Sequence, residues 1–113
     1  MTDSDFDASR TVGRGGVPTD AELARQAKGG DGEAFGALVE RHERAILGIA
    51  QAYFACRADA EDAVQDAFVK ALSALGTLEC DERFAAWLAQ ITRRTCLDML
   101  RSEKDKVSLA EFS

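Results

Sequence analysis

From residue 19 onward, apolar residues recur three and four apart, the interval of one helix face, in four successive blocks. The first opens on Thr19-Asp20-Ala21-Glu22, which has the form of a capping box, and continues through Leu23, Ala24 and Ala27. Gly29-Gly30 stops it after little more than two turns, too short to stand without the rest of the chain. Asp31 is placed to cap the second block. Its apolar residues Phe35, Leu38, Val39, His42, Ile46, Ile49, Ala50, Tyr53 and Phe54 hold the spacing for about five turns, roughly 30 Å at helical rise. After a break at Cys56-Arg57-Ala58, Ala60, Ala63, Val64, Ala67, Phe68, Ala71, Leu72 and Leu75 form the stripe of a third helix, with Asp59 as its expected cap. Gly76 to Cys80 is a connector. Asp81 is then expected to cap a last helix from Glu82 to about Lys104, with Phe84, Trp87, Leu88, Ile91, Thr95 and Met99 on its apolar side and Leu97 and Leu100 broadening it.

Four helices with short connectors and matching stripes predict an all-α fold: a compact four-helix domain, one short helix and three long ones, over residues 19–104. Residues 1–18 carry only isolated apolar side chains and are expected to form a flexible N-terminal tail. The final VSLAEFS is too short for another element, so 105–113 reads as the start of an interdomain linker.

Composition narrows the function classes. The 113 residues amount to one domain, and a formal charge of −6 argues against a protein that simply coats nucleic acid. It leaves DNA binding open, because that depends on where the charges sit. No apolar run approaches a membrane span, and the acidic start is unlike a secretory signal, so a cytoplasmic protein is expected. The three cysteines, Cys56, Cys80 and Cys96, show no paired metal-ligand spacing and read as buried or half-buried thiols in a reducing compartment.

Candidate chemistry is sparse. There is no Gly-rich phosphate loop, nucleophile–base pair or metal cluster, so neither metal nor cofactor is expected, and a binding module is favoured over an enzyme. His42, the only histidine, lies near an apolar edge without a second ligand, and Phe84 and Trp87 read as core. Asp62, Gln65, Asp66, Val69 and Ser73 fall together on a face of the third helix away from its apolar stripe. A merely solvated acidic face and a docking face both fit that pattern.

The segments DAELARQAKGGDGEAFGALVERH, DAEDAVQDAFVKAL and FAAWLAQITRRTCLDMLR, in that order over residues 20 to about 104, carry a resemblance. They resemble region 2 of an extracytoplasmic-function (ECF) sigma factor, a bacterial specificity subunit of RNA polymerase. The most specific matches are Asp62-Ala-Val-Gln65-Asp66-Ala-Phe68 and Trp87-Leu88-x-x-Ile91 followed by Asp98-x-x-Arg101.

The resemblance implies a domain that binds core RNA polymerase and recognises and melts the promoter minus-ten element. Asp62, Gln65, Asp66 and Val69 would dock on the clamp coiled coil of the largest polymerase subunit. The loop Gly76, Thr77, Leu78, Glu79 and Cys80 would form a pocket for a base of the non-template single strand. Arg93, Arg94, Arg101 and Lys104 would hold phosphates or base edges. Two positions depart from the family pattern: Arg94 stands where many members carry Asn, and Leu78 where an aromatic is common. Arg cannot accept a hydrogen bond, which leaves the base preference there open. The family normally adds a second helical domain, region 4, which this chain does not reach, so an excised domain is expected. The acidic charge and that missing domain also suit a regulatory module held by a protein partner such as an anti-sigma factor.

Overall fold

The computed structural model describes residues 16–112, with side chains described over 16–102. Of the expected flexible tail, residues 1–15 lie outside the described residues. The described chain forms helices α1 (Asp20–Lys28), α2 (Gly32–Gln51), α3 (Arg57–Ala74) and α4 (Phe84–Phe112), with 3-10 turns at Leu75–Thr77 and Asp81–Arg83. The expected all-α domain of one short and three long helices is what the chain builds. No helix among the described residues is long and apolar enough to cross a membrane.

Local signals set the first two helix starts. The Thr19 hydroxyl accepts from the Glu22 amide at 3.1 Å, and the Glu22 carboxylate accepts from the Thr19 amide at 2.8 Å. Each half of this capping box satisfies a backbone donor that the helix itself leaves unpaired. Removing the hydroxyl in Thr19→Ala should cost about 1 kcal/mol of stability, with Thr19→Asp close to wild type, as read by thermal melts followed by circular dichroism. Asp31 caps α2 through the amides of Glu33 (3.0 Å) and Ala34 (3.2 Å). Between the two helices Gly30 takes φ +105°, a left-handed conformation costly for any residue with a Cβ.

The helices pack around α2, which touches α1, α3 and α4. Leu38 and Ala50 of α2, Ala60, Ala63, Ala67 and Ala71 of α3, and Phe84, Leu88 and Cys96 of α4 have no exposed surface. The alanine stripe on α3 is the sequence's device for close packing, since a methyl group lets neighbouring helices approach where larger side chains would hold them apart. Thr92 and Thr95 are buried as well, and each hydroxyl donates to a carbonyl one turn back, Leu88 at 2.8 Å and Ile91 at 2.7 Å. Their polarity is satisfied inside the helix.

Several expectations change. Asp59 does not cap α3: the helix begins two residues earlier, after Cys56, and Asp59 sits in its first turn. Arg57 contributes there by pairing with Glu61 one turn on, at 2.9 Å. Leu72 is 54% exposed rather than core. A four-residue step overshoots a helical turn by about 40°, so the series Val64, Phe68, Leu72 rotates out of the core while Ala71 and Leu75 stay in. Leu97 and Leu100 also lie outside the core, at 49% and 37% exposed. Asp81 does not cap the last helix, which starts at Phe84 after a 3-10 turn. Finally, α4 continues past Lys104 to Phe112, because no Gly or Pro interrupts 84–112; the stretch 105–112 is helical.

Candidate nucleic-acid interface and docking face

The connector between α3 and α4 is suspended from two leucines. Leu75 and Leu78, each 4% exposed, are anchored in the core, and the backbone between them bends through a 3-10 turn closed by Leu78 N–H to Leu75 C=O at 3.1 Å. The Thr77 hydroxyl donates back to the Ala74 carbonyl at 2.7 Å. This arrangement holds residues 77–80 across from the first turns of α4 and opens a cleft of about 800 Å³ between them.

One wall of the cleft is Thr77, Leu78, Glu79 and Cys80; the other includes Arg83, Trp87, Gln90, Arg93 and Arg94. Of the residues expected to act on DNA, the fold therefore brings Thr77, Leu78, Glu79, Cys80, Arg93 and Arg94 together. Gly76 is not in the cleft wall. Leu78 presents little surface, because its side chain belongs to the core. Arg101 lies about 10 Å farther along α4 at helical rise, pairs with Asp98 at 3.4 Å and does not reach the cleft. The side chain of Lys104 lies outside the described residues.

Six further residues line the cleft, Arg83, Ala86, Trp87, Ala89, Gln90 and Ile91, and of these Arg83, Trp87 and Gln90 bring a charge, an aromatic ring and an amide. Trp87, Gln90 and Arg94 recur three and four apart on one face of α4, and Arg83 precedes them at the same interval from the end of the 3-10 turn, a signal present in the sequence. Trp87 is not simply core. It is half-buried, stacked obliquely on Phe84 with ring centroids 5.8 Å apart, and its remaining surface lines the cleft. Arg93 and Arg94 are exposed and form no ion pair among the described residues. The walls thus carry three guanidinium groups against one carboxylate, Glu79, a local excess of positive charge on an acidic chain.

The acidic stripe of α3 lies elsewhere. Asp62, Gln65 and Val69 are exposed, and Val69, at 63%, is the most exposed large apolar residue among those described. Asp66 is half exposed and pairs with Lys70 at 3.4 Å. Beside this stripe α2 and α3 leave a groove of two hollows, about 420 and 320 Å³. Its apolar surface comes from Val39, Leu47, Val64 and Phe68, and its rim from Glu43, Glu61, Asp62 and Gln65. Glu43 reaches both hollows from α2, where its sequence position suggests only a wet side. An apolar floor under an acidic rim is complementary to a basic amphipathic helix.

His42 sits away from both surfaces. Its Nε2 lies 2.8 Å from the Asp20 carboxylate and its ring 5.6 Å from that of Phe84, the core-edge position expected of it. The cysteines differ from expectation: Cys56 and Cys80 are exposed, Cys80 in the cleft wall, and only Cys96 is buried. Burial pushes the Cys96 thiol up from its usual range, so it stays protonated. Among the described residues no three His, Cys, Asp or Glu side chains gather as a metal site.

The family model for sigma-70 region 2 matches residues 38–106. The ECF RNA polymerase sigma factor SigM of Mycobacterium tuberculosis is 38% identical over 95 residues, 82% of this chain and 48% of that protein. The chain spans about half the length of the curated relatives it matches, 44%, 45% and 48% of the first three. An engineered region 2 of sigmaE, whose NMR structure is of its complex with GTAAAA, superimposes with a TM-score of 0.74 at 31% identity, over 78% of this chain and 92% of that one. The structure of CnrH in complex with the cytosolic domain of CnrY matches with a TM-score of 0.65 at 37% identity, over 78% of this chain and 61% of that one.

Proposed function

The chain belongs to the sigma-70 region 2 family, in its ECF class, and we propose that it binds core RNA polymerase while holding the unpaired non-template strand of the minus-ten element. The observation that carries the DNA half is the cleft between residues 77–80 and α4, with Trp87 in its wall and Arg83, Arg93 and Arg94 around it. A base turned out of its stack loses a few kcal/mol, which contact with its face and hydrogen bonds to its edge must offset. Trp87 offers the face contact. Backbone groups of the loop and the Gln90 amide offer donors and acceptors for the edge. Arg93 and Arg94 supply charge for the adjacent phosphates. The likeness to a region 2 solved with GTAAAA supports this assignment. The domain's part is to bind and hold the strand; no bond is made or broken by its own side chains.

The polymerase half rests on the groove between α2 and α3, where Asp62, Gln65 and Val69 stand clear of the core. Charge-assisted bonds from Lys or Arg of a clamp helix suit its rim, and the apolar floor supplies area. A second reading has one observation in its favour: the relative CnrH has been solved with the cytosolic domain of another protein, CnrY. On that reading a regulatory protein, such as an anti-sigma factor, competes with polymerase for this domain.

The test of the DNA half is fluorescence anisotropy with labelled single strands and duplexes over a range of salt. The wild-type chain should prefer the single strand. Arg93→Ala and Arg94→Ala should each weaken binding and lower the salt slope, by about 0.7 for each phosphate that is no longer neutralised. Slopes equal to wild type in both variants would remove the arginines from the strand.

A further inference from the structure

The cleft loop is held by a helix that lies outside the matched family segment. That segment begins at residue 38, whereas α1 ends at Lys28. The Lys28 ammonium nevertheless donates to the Leu78 carbonyl and to the Asp81 carboxylate, the latter at 2.7 Å, across 50 and 53 residues of chain. Arg25, one turn earlier, lies 3.5 Å from the other oxygen of Asp81. Among the described residues these are the only side-chain polar ties between segment 75–83 and another part of the chain; its remaining bonds are to its own neighbours. The pair is partly shielded, with the Lys28 side chain 26% exposed and that of Asp81 17%. At the opposite end of α1, Asp20 accepts from Arg41 at 3.0 Å and lies 2.8 Å from His42 of α2. The helix is therefore tied to α2 at one end and to the cleft loop at the other, with Ala21, Leu23, Ala24 and Ala27 buried between.

We propose that Lys28 is a positioning residue for the cleft, a strut from α1 whose bonds to the Leu78 carbonyl and the Asp81 carboxylate hold the 77–81 loop in the shape that receives an unstacked base. The proposal rests on the strand-binding role given above. Lys28 is absent from the cleft wall, so it acts through the loop and not on the strand. A solvated surface lysine would show neither the shielding nor the convergence on a main-chain oxygen. A backbone carbonyl fixed by an ammonium also keeps its peptide plane in one orientation, and with it the Glu79 N–H of the same peptide.

The test compares Lys28→Met and Lys28→Arg with wild type in two measurements. The first is amide hydrogen exchange in the DNA-free chain. In Lys28→Met the amides of Leu78 and Arg83, which are hydrogen-bonded to the carbonyls of Leu75 and Cys80, should exchange at least about tenfold faster, the scale set by removing one charge-assisted hydrogen bond, while those of α2 and α3 keep their protection. The second is base discrimination, measured on a strand selected by the wild-type chain from a randomised pool and on its single-base variants. The ratio of affinities should fall by about tenfold in Lys28→Met, with an unchanged salt slope, and should recover in Lys28→Arg. Unchanged loop exchange, or undiminished discrimination, overturns the strut; a reduced salt slope makes Lys28 a phosphate contact instead and overturns it too. If Lys28→Met does not fold, Lys28→Gln carries the same measurements. If the wild-type chain binds no strand, the strand-binding role falls, and loop exchange alone decides whether Lys28 holds the loop.

Discussion

Asp62→Arg is expected to abolish capture of the polymerase clamp coiled coil and leave the domain's melting temperature unchanged. Asp62 is exposed on α3 and makes no ion pair among the described residues. Its replacement therefore removes no contact that supports the fold, and a surface change of this kind stays within about 0.5 kcal/mol. The effect on docking is larger, because the substitution does more than delete a bond. It sets a guanidinium on the rim that Glu43 and Glu61 otherwise keep acidic, facing the basic side chains the groove is suited to receive. Like charges brought together at an interface cost several kcal/mol, so affinity should fall by at least about a hundredfold. Gln65→Ala, which removes a neutral donor and acceptor, should weaken binding by about tenfold or less. None of the groove residues lines the cleft, so strand binding by Asp62→Arg should match wild type. The measurement is a pull-down of the clamp coiled coil with wild type and variant side by side, supported by melts of both. Equal capture by a folded variant would move the polymerase contact off this face.

How far the sequence reveals such a site depends on the range of the interaction that makes it. Thr19 and Asp31 cap their helices through amides two or three residues away, and their roles are legible in the local text. The stripe of Asp62, Gln65 and Asp66 is legible for the same reason, being a matter of helical spacing. Asp81 shows the opposite case. Its position before an apolar helix marks it as a cap, yet its carboxylate turns to Lys28, 53 residues upstream, and to Arg25 of the same helix. A charge-assisted bond to a partly shielded ammonium outcompetes a capping bond, and no local pattern announces the partner. Glu43 is hidden in the same way, since only the packing of α2 beside α3 brings it to the groove. Trp87 reads as core because an aromatic at helical spacing usually is; its second role depends on the loop opposite, whose path the sequence does not specify. The extent of α4 is a different matter. Thin apolar content beyond Lys104 suggests a helix end, but nothing there stops one: no Gly or Pro stands before Phe112, and the backbone continues as a helix.

The largest loss of stability from a single substitution is expected at Phe84. It is fully buried at the first position of α4, where it meets the His42 ring of α2 and the Trp87 ring one turn on. Truncation in Phe84→Ala removes apolar area and leaves a cavity that its neighbours would have to move to fill. Such changes cost about 3–5 kcal/mol. A domain of this size has about 5–15 kcal/mol in all, so a substantial unfolded fraction at physiological temperature is expected. At roughly 4–8 °C per kcal/mol, the melting temperature should drop by more than about 12 °C. Leu97→Ala, at a residue 49% exposed on the same helix, is the matched control and should change stability by about 0.5 kcal/mol or less. Trp87 is the only tryptophan in the chain, so its fluorescence reports the Phe84 contact and the cleft wall at once. In Phe84→Ala that signal should shift toward its solvent-exposed value below the melting transition, and strand binding should weaken with it, because the ring that supports Trp87 from the core side is gone. A melt equal to that of Leu97→Ala would show that the α2–α4 contact at Phe84 is dispensable, and that the cleft is supported from α1 and the loop alone.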